Sequence, residues 1–179
     1  LDEQFLLGVK KDKDSITIKI ELLKNILKDE IKMRLPQNIK KYTSLKEELE
    51  KVIDRYHANA IDSYTTIAEL VERAKEMQDE DKRKSELGLS DEELAFYDIL
   101  AAKKDIINES GPIQDVVHNV VKAVKNNLQI DWTNKEDAKA AIRLAVKKEL
   151  RGKVSILELN TILQEIMEQA EGQFREWRA

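Results

Sequence analysis

The sequence predicts an all-α protein: an elongated helical bundle of about six helices organised around one long helix. Three observations carry that prediction. Turn formers are scarce, with five glycines and two prolines in 179 residues, and aromatics make up only 5%. That is too little punctuation for a many-stranded sheet. Apolar residues recur at steps of three and four between charged ones, which supply 37% of the chain. Finally, Ser or Thr is followed about three residues later by Glu at four places, the pattern that opens a helix. At this length a single core, or one domain with two lobes, is expected.

Residues 1–14 alternate Lys and Asp after Phe5, Leu6 and Leu7 and hold no sustained period. Residues 1–19 are therefore expected to form a linker or incoming strap. A start at Leu1 rather than Met suggests a piece of something longer. Ile16, Ile18 and Ile20 alternate as in a strand, but Leu23, Ile26, Leu27, Ile31 and Leu35 fall at helical spacing, so a helix is expected over about residues 20–34. Pro36 ends it, because the residue before a proline is pushed out of the helical region.

Thr43 or Ser44 with Glu47 then opens the long helix. Its stripe runs Leu45, Leu49, Val52, Tyr56, Ala60, Ile67, Leu70, Val71, Ala74 and Met77, roughly 50 Å at 1.5 Å per residue. Residues 45–101 thus form the spine on which the other helices pack. The charged run at 79–84 is its solvated end, and Gly88 the turn beyond. Ser90 with Glu93 caps a helix carrying Leu94, Tyr97 and Leu100. Ser110-Gly111-Pro112 precedes a valine-rich helix of Ile113, Val116, Val117, Val120, Val121, Val124 and Leu128. Thr133 with Glu136 opens the next, lined by Ala138, Ala141, Ile142, Ala145, Val146 and Leu150 and stopped by Gly152. Ser155 with Glu158 opens the last, which carries Leu159, Ile162, Leu163, Ile166, Met167, Ala170 and Phe174. The expected domain spans residues 20–179, with lobes at 20–105 and 106–179.

The chemistry-bearing inventory is thin. Without cysteine there are no disulfides, thiol nucleophiles or thiolate metal ligands. No apolar run approaches the roughly 20 residues that span a bilayer, and the N-terminus has neither signal-peptide nor transit-peptide character; a soluble, non-membrane protein is expected. No glycine-rich phosphate loop, nucleophile elbow or metal-spaced histidine pair occurs, so no catalytic, cofactor-binding or metal residue is expected. The net charge of −4 is uneven: residues 1–46 hold eleven Lys/Arg against seven Asp/Glu, and residues 47–179 twenty against twenty-eight. The plainer reading is solvated helix faces; the sharper one is contact between DNA phosphates and Lys24, Lys28, Lys32, Arg34, Lys40 and Lys41.

A polar cluster of Arg55, Tyr56, His57, Asn59 and Asp62 admits a structural or a partner-binding role. With only two histidines in the chain, His57 is expected to pack and hydrogen-bond rather than to ligate a metal or act as a base. On one continuous helix Arg55 and Asp62 share a face two turns apart, which suits an ion pair. Trp132 is expected to cover the core. Glu92, Glu93 and Asp98 are expected to cap and solvate, since a nuclease needs carboxylates converging with a lysine on a metal.

Five words in order carry a resemblance: Glu30-Ile31-Lys32; Arg55-Tyr56-His57-x-Asn59-Ala60-Ile61-Asp62 with Ile67-Ala68-Glu69-Leu70-Val71; Gly88-Leu89-Ser90-Asp91-Glu92-Glu93-Leu94-Ala95-Phe96-Tyr97-Asp98; Ile130-Asp131-Trp132-Thr133; and Glu168-Gln169-Ala170-Glu171. Over residues 20–172 the chain resembles the C-terminal helical region of the restriction (R) subunit of type I restriction-modification enzymes. It departs from the pattern between Gly152 and Ser155, where relatives carry a longer turn. The resemblance implies a parent with a nuclease domain and two RecA-like motor domains that use ATP and Mg, acting in a prokaryotic cytoplasm. It also implies that this region docks the R subunit onto the methyltransferase core of modification and specificity subunits, with the motor domains of the same chain and duplex DNA as further neighbours. Neither the nuclease residues nor the nucleotide loop occurs in these 179 residues, so no catalytic residue carries over. A DNA-backbone clamp built on the basic N-terminal quarter is the alternative.

Overall fold

A computed structural model describes residues 16–103 and 112–177. It is all-α, as the spacing predicts, with seven α-helices and no strand among the described residues. They are α1 (Ile16–Arg34), α2 (Ile39–His57), α3 (Ser63–Leu87), α4 (Asp91–Ala101), α5 (Ile113–Lys125), α6 (Glu136–Leu150) and α7 (Ile156–Gln173). The chain divides into two compact units. One comprises Leu1–Leu35 and Lys40–Arg83, the other Pro36–Ile39 and Lys84–Ala179. The boundary therefore falls well before residue 105, because α4 buries Leu94, Phe96, Ile99 and Leu100 in the same cluster as the helices that follow it. Of the expected strap at 1–19, residues 1–15 lie outside the described residues, and 16–19 are already helical.

The first unit is a three-helix arrangement with one apolar cluster. Ile20, Leu23, Leu27 and Ile31 of α1 meet Tyr42, Leu45, Leu49, Val52 and Ile53 of α2 and Ile67, Leu70, Val71, Ala74 and Met77 of α3. Ile16 packs against the same cluster, in helical register with Ile20, so tertiary burial extends α1 upstream of the expected start and overrides the strand-like alternation.

The expected single long helix is instead two antiparallel helices. Their cross-links fix the register: Arg55 bonds Glu69 near the turn, Arg73 bonds Glu48 midway, and Lys41 pairs with Glu80 at the far end. The break at 58–62 has two local causes. Asn59 adopts a left-handed conformation, φ 55°, which Asn tolerates better than most residues. Asp62 then caps α3, its Oδ1 accepting the Thr65 N–H at 2.7 Å. The apolar stripe keeps a helical phase across this short turn, which is why it reads as continuous.

In the second unit α4 packs on α5 and α7, α5 on α6, and α6 on α7, closing a four-helix circuit. Trp132, fully buried on a 3-10 turn between α5 and α6, donates its indole N–H to the Phe174 carbonyl at 2.8 Å. Phe174 stacks with Phe96 at 6.4 Å and meets Trp177 edge-on at 6.2 Å. Ser90 and Glu93 form a full capping box at α4, and Ser155 caps α7 through the Leu157 N–H. The other two boxes do not form. The second helix begins upstream at Ile39, leaving Ser44 bonded to Glu48, and Thr133 sits inside the 3-10 turn while Lys135 occupies the α6 cap position without a side-chain bond. Gly88 and Gly152, at φ 65° and 78°, end α3 and α6 as expected.

Candidate functional site

Three of the six basic candidates, Lys24, Arg34 and Lys41, are committed to intramolecular ion pairs. Lys24 pairs with Glu21 one turn away. Arg34 grips Asp81 with both terminal nitrogens, Nη1 to Oδ1 at 3.2 Å and Nη2 to Oδ2 at 3.3 Å. It also donates to the Met77 carbonyl at 3.3 Å and to Glu30 at 3.2 Å. Burial, the largest influence on Arg34, works against its charge, but hydrogen bonds with Tyr42 and Asp81 outweigh it and hold the guanidinium more firmly protonated than usual. Burial in turn pushes the Tyr42 phenol up, partly countered by Arg34. Lys41 meets the carboxylate of Glu80, a buried acid that also accepts from Arg83 at 2.9 Å. Lys40 is exposed in the first turn of α2.

Lys28 and Lys32 are different. Together with Lys46 they edge a groove of about 290 Å³ between α1 and α2, floored by Ile31, Leu35 and Leu49. Glu50, 3.9 Å from Lys46, is the one acid lining it.

The polar cluster at the α2–α3 turn resolves into separate structural tasks. Arg55 bonds Glu69 at 3.0 Å across the hairpin, not Asp62, because the chain turns between them. Tyr56 is half-buried against the core, with the exposed His57 ring 5.9 Å from its own. Asn59 makes the turn and Asp62 the cap. The Thr65 backbone N–H, helped by the Thr65 side chain, holds the Asp62 carboxyl below the usual range. Among the described residues no group of three or more His, Asp or Glu is placed to hold a metal ion, and no helix is long and apolar enough to cross a membrane.

In the second unit, a shallow groove lined by Ser90, Glu93, His118 and Lys125 collects the acids of α4. Glu92 is paired with Lys125 at 2.8 Å and Glu93 lies 3.0 Å from His118 Nδ1. Burial works to raise the Glu93 carboxyl, but hydrogen bonds from Ser90 and His118 bring it below the usual range. These acids cap and pair, as the spacing suggests, and Asp98 accepts from Asn38 at 2.8 Å.

The residue that sequence reasoning passed over is Gln169. It is buried on α7, where its Oε1 accepts the Ile39 N–H at 3.0 Å. Its Nε2 donates to the carbonyls of Pro36 and Gln37, at 3.3 and 2.9 Å, and to Gln173. One turn on, Gly172 admits the Ile39 side chain: a Cβ there would lie 2.1 Å from Ile39 Cδ1. The available signal was a long polar side chain placed between Ile166 and Ala170 on the apolar face of α7.

Fold and clusters together define an all-helical module in which Arg34, Arg55, Asn59, Asp62 and Gln169 make interhelical ties, a turn and caps. The comparisons narrow this class. Residues 1–176 match the family described as Type I restriction enzyme HindI endonuclease subunit-like, C-terminal. The chain belongs to that family of C-terminal domains. It is 30% identical over 149 residues to the putative type I restriction enzyme MjaIXP endonuclease subunit of Methanocaldococcus jannaschii, covering 82% of this chain and 14% of that protein. It is 26% identical over 154 residues to the type I restriction enzyme HindI endonuclease subunit of Haemophilus influenzae, covering 84% of this chain and again 14% of the relative. The chain thus spans a small fraction of the curated relatives it matches. No solved structure matches it.

Proposed function

We propose that this chain is the C-terminal assembly domain of a type I restriction endonuclease subunit, contributing no reacting group of its own. Its task is to dock the subunit's motor and nuclease domains, where ATP and Mg are used, onto the methyltransferase core of modification and specificity subunits in a prokaryotic cytoplasm. The observation that carries this reading is the match of residues 1–176 to the C-terminal part of such subunits. The arrangement of polar residues supports it, since Arg34, Arg55, Asp62 and Gln169 act on the fold itself. The outer face of α1 adds exposed apolar residues, interrupted by Asn25 and Asp29. Ile18, Leu22 and Met33, at helical spacing, are 67%, 45% and 64% exposed while the opposite stripe fills the core. The DNA-clamp alternative is less well supported, because Lys24, Arg34 and Lys41 are engaged in ion pairs.

Gel filtration tests the proposal. The chain mixed with the purified core of modification and specificity subunits is expected to co-elute with it; two separate peaks at micromolar concentrations contradict docking.

A further inference from the structure

We infer that the groove between α1 and α2 receives an acidic segment of the docking partner that inserts one apolar side chain between its carboxylates. The inference rests on the assembly role proposed above and adds the face used and the chemistry it selects. In a chain of net charge −4 this groove is locally basic, with Lys28, Lys32 and Lys46 against Glu50 alone. Lys46 and Glu50 answer each other across one turn. Among the described residues no carboxylate lies within ion-pair distance of Lys28 or Lys32, in contrast to Lys24, Arg34 and Lys41 nearby. Two ammonium groups at one rim therefore lack a direct ion pair, Glu21 acting on Lys28 only at longer range.

The floor decides between kinds of partner. Ile31 and Leu49 are core residues, 3% and 1% exposed, so half-buried Leu35 is the accessible apolar part of the floor of a groove of about 290 Å³. An apolar side chain of leucine or methionine size would fill much of such a space and cover what Leu35 still exposes to water. A phosphate would gain nothing from that floor and would lose hydration on entering it. A protein segment supplies both parts, carboxylates for the rim and an apolar anchor for the floor, in the manner of a helix laid in a groove.

The test compares the wild-type chain with Lys28→Glu/Lys32→Glu and Lys28→Arg/Lys32→Arg by calorimetric titration against the purified core of modification and specificity subunits, and against a short duplex of arbitrary sequence. Both lysines are exposed, and circular dichroism checks that the variants stay helical. Charge reversal is expected to weaken binding to the core on the order of tenfold or more, while the arginine pair stays near wild type. Wild-type affinity is also expected to fall as salt rises. An unchanged affinity for the core after charge reversal overturns the groove while leaving the docking role intact; wild-type chain that does not bind the core overturns the docking role and this inference with it. If reversal abolishes duplex binding but spares the core, the groove is a phosphate site and the inference fails.

Discussion

Replacing Gln169 with alanine is expected to destabilise the second unit by about 2 kcal/mol. The magnitude follows from what its amide does. Ile39 is the first residue of α2, so its N–H has no partner within the helix, and Gln169 Oε1 at 3.0 Å supplies one across 130 positions of sequence. A side-chain cap of this kind contributes roughly 1 kcal/mol. The donor side of the amide holds the Pro36 and Gln37 carbonyls, which belong to exposed residues and can turn to water, so their loss adds less than a full hydrogen bond each. The buried stem of Gln169 supplies the remainder. Both tryptophans, Trp132 and Trp177, lie in this unit, so urea unfolding followed by tryptophan fluorescence reads it directly. The expected result is a lower midpoint with an unchanged slope. Gln169→Glu should not restore stability, since its second oxygen would face carbonyls instead of donating to them. A loss below about 0.5 kcal/mol for the alanine variant would refute the assignment of Gln169 as a cap.

Three further outcomes are expected. Ser90→Ala removes the capping box of α4 and should cost about 1 kcal/mol by the same assay, with Ser90→Asp close to wild type. Arg34→Lys cannot reproduce the two-pronged grip on Asp81 together with the Met77 carbonyl, and should lose about 1–2 kcal/mol in thermal unfolding of the first unit; equality with wild type would contradict the role given to the fork. Glu93, Asp62 and Glu21 all have carboxyls held below their ordinary values in the folded chain. Each therefore contributes stability that is present above the ordinary carboxylate range and lost as pH falls through the depressed folded value. Helicity followed by circular dichroism should decline on acidification through that window, and Asp62→Asn/Glu93→Gln should flatten the decline.

The parts of this fold that were legible in the sequence are those fixed by neighbours within one turn. Pro36 closes α1, Gly88 and Gly152 take left-handed turns, and Ser90 and Glu93 cap each other, all through local sterics and short-range hydrogen bonds. The hidden parts depend on residues far apart. The start of α2 is tied to Gln169, so the local pattern at Thr43 and Ser44 pointed five or six residues too late. The hairpin at 58–62 was masked because periodicity records only that Tyr56 and Ile67 face a core, and two antiparallel helices satisfy that as well as one long one. Its signals were Asn59 and the cap at Asp62, read there as members of a polar cluster. Spacing places Lys24, Lys28 and Lys32 on one helix and Glu21 one turn from Lys24, yet only the packing of α1 against α2 sets Lys28 and Lys32 beside an apolar groove.

The central claim, that this chain docks an endonuclease subunit onto the methyltransferase core, is tested most directly by competition. The isolated chain, in excess over the endonuclease subunit of its own system, should occupy the core and suppress ATP-dependent DNA cleavage while leaving DNA methylation unchanged. Undiminished cleavage at saturating chain would contradict it.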